Sequence, residues 1–599
     1  MNLLGMNQHL VQLGKKDQTM ENKLDYSTLR KQQQESGEVP TWFTTGGLQL
    51  FYEKYAYQNE TVKSRFKTIA KALAVHAPST HPTWWESDPY TKGKTYEEAF
   101  FDTMWDGFIS PSTPLLANGG IRKRGTTVSC AGGYVGNNLY DRYNAVTEAA
   151  ILTKHSHGTS YSIDSWPAEG TKLARGGRSL GTIPLIRDFI ACMDEVTQAS
   201  RRGSLAYSLR PQHGDFEKVL NHLYEHTESN NVGWLIDDEF TSEMQKENPK
   251  YLRKMEQMLG VKMPRGKGYF TFISKMNRHL AAPFKAKGMT VKASNLCVEV
   301  CLPSDEEYTF SCVILNYNLE LYRSWPEHLV WIGQIMSDCN ISEYIACMDE
   351  MSSLDREAMR KIYKFTKEFR ALGSGVLGFH TLLQRERLVI GSMECMFLNH
   401  EIFKKLDVDS QATTRWLAEV SGEPEGCKGF GIRNATRLMM PPTKSTAEIM
   451  AGASEGIGLD TAMVFTKQSA GGEFFRINKV LLEIMKERSV FNDAVINEII
   501  QAKGSVQNVT WLTEHERAVF RTAFEVRMED YLRLCSQRQK YIDQAQSINL
   551  YFTSNDSEEY ISEIHRMAFE DEGILSLYYI YSMRGAGAIT RIADCEVCQ

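Results

Sequence analysis

The residues best suited to chemistry lie in one short block, Ser294-Asn295-Leu296-Cys297-Val298-Glu299, with Ser311-Cys312 soon after. In an extended strand successive side chains alternate faces, so the block is expected to place Asn295, Cys297 and Glu299 on one side and Leu296, Val298 and Val300 on the other. A lone cysteine mostly packs as a small hydrophobe. An amide and a carboxylate beside it change that reading, because burying either one unpaired costs about 1–3 kcal/mol or more. The trio suggests a cavity with a ligand in it.

Composition narrows what that ligand could be. Basic and acidic residues nearly balance, 68 against 74 for a net charge of −6, so the basic footprint of a protein that binds polymeric nucleic acid is missing. The sequence has neither an apolar run of roughly 18 residues nor a signal-peptide core, which points to a cytoplasmic protein with no membrane partner. Twelve cysteines in 599 residues are too few for a disulfide scaffold. Cysteine chemistry here is expected to be catalytic or redox cycling. The pair Cys595-Glu596-Val597-Cys598 would need two further ligands to hold a metal and reads instead as a mobile dithiol.

Elements must position these groups. Residues up to about Pro40 are polar and read as a poorly ordered arm, with order beginning at Trp42. Helical spacing follows over residues 61–75 and 95–108, then a stretch with two prolines and two glycines, 111–120, reads as a connecting loop. Further helices are expected at 143–154 and 184–196, the second flanked by flexible basic loops carrying Arg175, Arg178, Arg201 and Arg202. Gly373-Ser374-Gly375-Val376-Leu377-Gly378 satisfies a dinucleotide-binding pattern but lacks a convincing preceding strand, so that site is not expected. The hexapeptide Ile-Ala-Cys-Met-Asp-Glu occurs at 190–195 and again at 345–350 without wider similarity, and is treated as chance. Residues 439–447 read as a strand, a proline break and a helix start with Thr443, Lys444, Ser445 and Thr446, a ready anion site. Residues 575–581 read as a strand containing Tyr578-Tyr579.

Taken in order, these blocks resemble the large subunit of class I ribonucleotide reductase over roughly residues 42–599. The Asn295-x-Cys297-x-Glu299 strand with its follow-up Ser311-Cys312-Val313-Ile314-Leu315-Asn316, the Thr113 segment ahead of Val128-Ser129-Cys130, the turn at Pro442 to Thr446 and the late Tyr578-Tyr579 pair carry the resemblance. It implies a ten-stranded α/β barrel with a central finger loop, two five-stranded halves, preceded by a helical N-terminal region. The expected divisions are an arm at 1–40, helices at 41–108, the barrel at 109–590 and a redox tail at 591–599. About 40 residues precede Trp42, too few for the ATP-cone domain of many relatives.

The resemblance also implies roles. Cys297 would abstract a hydrogen atom from a ribonucleoside diphosphate, Glu299 would act as base and Asn295 would hold the ribose. Cys130 and Cys312 would supply two electrons, and Cys595 and Cys598 would reduce them again at the expense of thioredoxin or glutaredoxin. Thr113, Ser129, Gly158, Pro442, Thr443, Lys444, Ser445 and Thr446 would complete the substrate site. A dNTP or ATP effector would meet Asn137, Arg175, Gln198, Arg201 and Arg202 in a homodimer, although Asn137 stands where an acidic residue is usual. Tyr578 and Tyr579 would relay a radical from the metal cofactor of a separate ferritin-like small subunit, with no metal bound permanently in this chain. Three alternatives stay open: an adenosylcobalamin-dependent reductase, which does not need the tyrosine pair, a non-catalytic nucleotide-binding regulator, and a CxxC thiol oxidoreductase.

Overall fold

Side-chain caps and apolar stripes build the N-terminal helices. The computed structural model describes residues 25–122, 124–198, 201–226, 230–469 and 472–583. The helix Val62–Ala74 opens on a capping box between Thr61 and Ser64 and buries Phe66, Ile69 and Leu73 on one face. Thr95 and Glu98 form the same device ahead of Tyr96–Trp105. Residues 1–24 of the expected arm lie outside the described residues, and the part from 25 to 40 is corrected here, because Tyr26–Glu35 is a helix capped by the Asp25 side chain. None of its residues is fully buried, so no apolar signal announced it. It is held instead by polar contacts, Gln33 donating to the Tyr52 hydroxyl at 2.7 Å and Gln34 to the Pro40 carbonyl at 2.9 Å. The loop expected at 111–120 is also corrected: Pro111 ends the short strand Ile109–Pro111 and Pro114 sits in the first turn of the helix Thr113–Asn118, where a missing N–H costs nothing.

The sheet that follows alternates strand and helix. Strands β1 (Cys130–Tyr134), β2 (Gly158–Ser162), β3 (Leu205–Leu209), β4 (Asn230–Ile236) and β5 (Tyr269–Phe272) pair in sequence, all parallel. Helices such as Leu139–Lys154 and Ile183–Glu195 make the crossovers that parallel pairing requires. Strand β6 (Phe310–Asn318) lies antiparallel to β1, and β7 (Leu372–Leu377) runs parallel to β6. From β7 the pairing continues through parallel bridges Ser374↔Leu438 and Met440↔Gln546. It passes through the parallel ladder between Leu550–Phe552 and Ile580–Ser582, and returns to β5 through Ser576–Leu577. Among the described residues the nine-stranded sheet thus closes into an α/β barrel of two parallel halves running in opposite directions. The ten-strand reading rests at 438–440 and 546 on single bridges. The expected strand at 575–581 is interrupted at Tyr578 and Tyr579, between Ser576–Leu577 and Ile580–Ser582.

Gly373 and Gly375 lie within β7 itself, and Gly378 follows it as the N-cap of the helix Phe379–Arg385. A Cβ at Gly373 would fall 2.5 Å from Cys312 Sγ, and one at Gly375 would fall 2.3 Å from Pro441 Cδ. They are there for close approach inside the barrel. No helix among the described residues is long and apolar enough to cross a membrane.

Where ladders are thin, buried charges pin the second half. Asp338, on the helix Leu329–Asp349, accepts from Arg370 Nε at 2.8 Å, from Arg433 Nε at 2.9 Å and from Asn434 Nδ2 at 2.8 Å. Burial alone would raise its pKa, but the two guanidinium groups override that and hold the carboxyl well below its ordinary range. Asp543 accepts from the backbone N–H of Arg437 at 2.9 Å and of Leu438 at 3.0 Å, beside the bridge at 438. Removing Asp338 leaves the buried Arg370 and the half-buried Arg433 guanidinium groups without this counter-charge, so Asp338→Ala is expected to lower the unfolding free energy by about 3–5 kcal/mol. Urea denaturation of the two proteins would measure this, and a loss below about 1 kcal/mol, as for a surface pair, would refute the assigned role.

Candidate active site

Two thiols face each other across the seam between the barrel halves. Cys130 and Cys312 are direct register partners of the antiparallel β1–β6 ladder, and both side chains are fully buried. Residues directly opposite in such a ladder have Cα atoms about 4.5–5.5 Å apart, inside the span of about 4.4–6.8 Å that a disulfide needs. The register thus places the pair within the Cα span that a disulfide requires. Burial pushes the Cys312 thiol far above its usual pKa. Around it stand Gln544 Nε2 at 3.3 Å, Met439 Sδ at 3.4 Å and the backbone of Gly373, which has no Cβ to keep the thiol away.

A loop reaches these thiols from inside. Residues 293–304 leave the helix Ala282–Ala286 and are all buried, within the barrel that β6 then joins. The strand expected at 294–299 is not formed. Val298 adopts φ of +62° and donates to the Asn295 carbonyl at 3.2 Å, which makes the block a tight turn. Leu296 and Val298 are buried too, so no single apolar face exists. A segment enclosed on every side has no neighbouring strand to complete a ladder, and side chains take over its backbone groups. Asn295 Oδ1 accepts from Val300 N at 3.1 Å, Gln544 Oε1 from Cys301 N at 3.1 Å, and Ser547 Oγ donates to the Cys297 carbonyl at 2.7 Å.

The turn still gathers the three polar groups. Asn295 Nδ2 lies 2.9 Å from Glu299 Oε1 and 3.5 Å from Cys130 Sγ, tying the loop to the thiol pair. Glu299 Oε2 lies 3.1 Å from Ser547 Oγ. Cys297 Sγ accepts from the Tyr578 hydroxyl at 3.3 Å. Behind Tyr578 the ring of Tyr579 follows, centroids 4.0 Å apart, and Tyr269 of β5 touches both at 4.7 and 5.3 Å. Lys262 reaches the Tyr578 carbonyl with its ammonium, and burial lowers its pKa to about 7.

Beside this cluster opens a cavity of about 580 Å³ whose wall includes Pro442, Lys444, Ser445 and Ser547. Of the hydroxyls expected at this turn, those of Thr443 and Thr446 are spent on the turn itself. Thr443 accepts from Gly456 N at 2.7 Å and Thr446 donates to the Thr443 carbonyl at 3.1 Å. Ser445 and Lys444 are the members that face the cavity, at the start of the helix Lys444–Ile449. Ser129 lies 3.6 Å from Cys130 Sγ, and Gly158 is the register partner of Cys130 in β2. Thr113 is buried against the Tyr55 hydroxyl at 3.3 Å.

Asn137 and Arg175 are exposed, the first just ahead of the helix Leu139–Lys154. Gln198, Arg201 and Arg202 belong to a hairpin whose backbone pairs Gln198 with Arg201 and Thr197 with Arg202. Cys595 and Cys598 lie outside the described residues. Sequence reasoning missed Gln544, Ser547 and Gly373. A signal for the first two existed, since Asp543-Gln544-Ala545-Gln546-Ser547 is a polar run leading into the apolar Ile548 and Leu550, and buried polar residues need partners.

Known proteins resemble this chain in sequence and in fold. The family profile described as "Ribonucleotide reductase, barrel domain" matches residues 237–430 and 424–580, and "Ribonucleotide reductase, all-alpha domain" matches 41–124. The protein assigned as a ribonucleoside-diphosphate reductase large subunit in Frog virus 3 (isolate Goorha) is 27% identical over 526 residues, covering 83% of this chain and 90% of its own. The ribonucleoside-diphosphate reductase large subunit of Invertebrate iridescent virus 3 is 30% identical, over 59% of this chain and 55% of its own. The solved structure of the Actinobacillus ureae class Id ribonucleotide reductase alpha subunit superposes with a TM-score of 0.80 at 27% identity, covering 91% of this chain and 98% of that one. With matching barrel and helical domains in the expected order, the chain belongs to the ribonucleotide reductase large-subunit family.

Proposed function

We propose that this chain is the catalytic subunit of a class I ribonucleoside-diphosphate reductase, making 2′-deoxyribonucleotides by thiyl-radical chemistry. The observation that carries the class is the 3.3 Å contact between the Tyr578 hydroxyl and Cys297 Sγ with Tyr579 packed behind it, which a cobalamin-dependent enzyme would not need. A one-electron oxidant delivered by a separate metal-bearing small subunit draws a hydrogen atom along Tyr579 and Tyr578 from Cys297. The thiyl takes the hydrogen at C3′ of the ribose, and Glu299, within reach of the same turn, accepts the 3′-hydroxyl proton. The 2′-hydroxyl then leaves as water. Cys130 and Cys312 give up two electrons and their protons and end as a disulfide, after which Cys297 returns its hydrogen to C3′. Asn295 positions the ribose, and Lys444 with Ser445 receives the diphosphate at the cavity wall, with Thr443 and Thr446 shaping the turn. Thr113, Ser129 and Gly158 line the opposite side of the substrate.

The tail thiols Cys595 and Cys598 reopen the disulfide by exchange and are recharged by thioredoxin or glutaredoxin in a cytoplasmic setting. The helix Leu139–Lys154 leaves Leu139, Tyr140 and Tyr143 exposed beside Asn137, which supports a homodimer with a dNTP or ATP effector bound near Arg175, Gln198, Arg201 and Arg202.

Conversion of CDP or ADP by the purified chain with dithiothreitol, an effector nucleotide and a metal-loaded small subunit tests the reading. Turnover is expected only with the small subunit, and turnover on adenosylcobalamin alone would overturn the class. Cys297→Ala is expected to abolish product while nucleotide binding persists. Glu299→Gln, which keeps the Asn295 and Ser547 contacts in shape but removes the base, should lower kcat about 10²–10⁴-fold. Replacing Cys595 and Cys598 by Ser should remove thioredoxin-driven turnover and spare the dithiothreitol-driven reaction. Equal loss with both reductants would contradict the shuttle role.

A further inference from the structure

The line of rings does not stop at Tyr579. Tyr581 lies two residues on, in the strand Ile580–Ser582, and its ring centroid is 6.0 Å from that of Tyr579. On its other side it stacks on Tyr551, centroids 5.2 Å apart and planes within 10°. Tyr551 is its register partner in the neighbouring strand Leu550–Phe552. Tyr578 and Tyr579 are 1% and 5% exposed in this chain. Among the described residues, the wall of the 580 Å³ cavity includes Tyr551 and Tyr581 but neither Tyr578 nor Tyr579. Tyr581 is thus the ring of the series that joins the buried pair to the cavity.

We propose that Tyr581 is a third redox station of this chain, so that oxidation enters at Tyr581 and passes through Tyr579 and Tyr578 to Cys297. The inference rests on the relay reading of Tyr578 and Tyr579 given above. In the first step the Tyr581 phenol gives an electron to a one-electron oxidant of the small subunit, a phenoxyl radical or a high-valent metal centre, and its proton to water in the cavity. The Tyr581 phenoxyl then takes one electron and one proton from Tyr579, restoring its own O–H and leaving the radical on Tyr579. The same exchange carries it to Tyr578 and finally breaks the Cys297 S–H bond, so each station is reduced as the next is oxidised. Stacked aromatic pairs on adjacent strands also occur as plain packing. The phenol O–H separates the two roles, because phenylalanine keeps the ring and the packing but cannot supply the proton-coupled electron.

The experiment compares wild type, Tyr581→Phe and Tyr579→Phe in the complete assay with the small subunit, CDP, effector and dithiothreitol. Tyr581→Phe is expected to lose at least 100-fold in kcat with KM for CDP and the melting temperature unchanged. A chain carrying 3-aminotyrosine at 581 is expected to show an aminotyrosyl radical in its EPR spectrum when the small subunit, CDP and effector are mixed. If Tyr581→Phe turns over within twofold of wild type while Tyr579→Phe is dead, oxidation enters at Tyr579 and the proposal falls, with the relay reading intact. If Tyr579→Phe is also active, the relay reading itself falls. A Tyr581→Phe loss accompanied by a raised KM and a lowered melting temperature, with no radical trapped at 581, would make the ring structural and also overturn the proposal.

Discussion

The hydrogen bonds that Gln544, Ser547 and Asn295 give to the turn at 294–301 hold a polar segment inside a barrel. Every residue from 293 to 304 is buried there. Each orphaned polar group would cost about 1–3 kcal/mol, so the loop can occupy this place only because the barrel wall presents partners at matching positions. The same bonds determine the chemistry. Ser547 joins the Cys297 carbonyl to the Glu299 carboxylate, and Asn295 joins Glu299 to Cys130. Gln544 spans from Cys301 N to Cys312 Sγ. The structural bonds of the loop and the spacing of the reactive groups are one network.

Closing a barrel around such a loop makes a second demand. The first half closes through continuous parallel ladders, whereas the second passes through single bridges at Ser374↔Leu438 and Met440↔Gln546. Charges replace the missing ladder bonds: Asp338 gathers Arg370, Arg433 and Asn434, and Asp543 gathers the backbone of 437 and 438. A buried ion pair is a costly way to gain stability but a specific one, since the charges accept few other geometries. The glycines of β7 serve the same closure by letting Cys312, Met439 and Pro441 approach the backbone. The resulting interior suits radical chemistry. Its thiols are desolvated, its carboxylate is oriented, and a file of aromatic rings joins it to the 580 Å³ cavity.

Much of this was legible from residues alone. Helical spacing at 61–75 and 95–108 marked the helices that formed at Val62–Ala74 and Tyr96–Trp105. The set of chemical residues Cys130, Asn295, Cys297, Glu299 and Cys312 did converge. What misled was periodicity. Alternation at 294–300 implied a strand with one chemical face, but a segment buried on all sides has no face for alternation to report, and the local answer was a turn with a positive φ at Val298. Polarity misled likewise at 26–35, where a helix is held by glutamine side chains and not by an apolar stripe.

The sequence by itself determined which groups are present, where the helical spacing at 61–75 and 95–108 falls, and which family the order of blocks belongs to, because those properties are written in the residues and their order along the chain. Only the tertiary structure decided that Cys130 opposes Cys312 across the seam, that Thr443 and Thr446 serve the turn while Lys444 and Ser445 face the cavity, and that Gln544 and Ser547 belong to the site. It alone placed Tyr581 and Tyr551 on the cavity wall. These outcomes depend on contacts between segments up to 250 residues apart, such as Ser547 with Cys297. Distances of that kind are set by how the barrel closes, which no local pattern encodes.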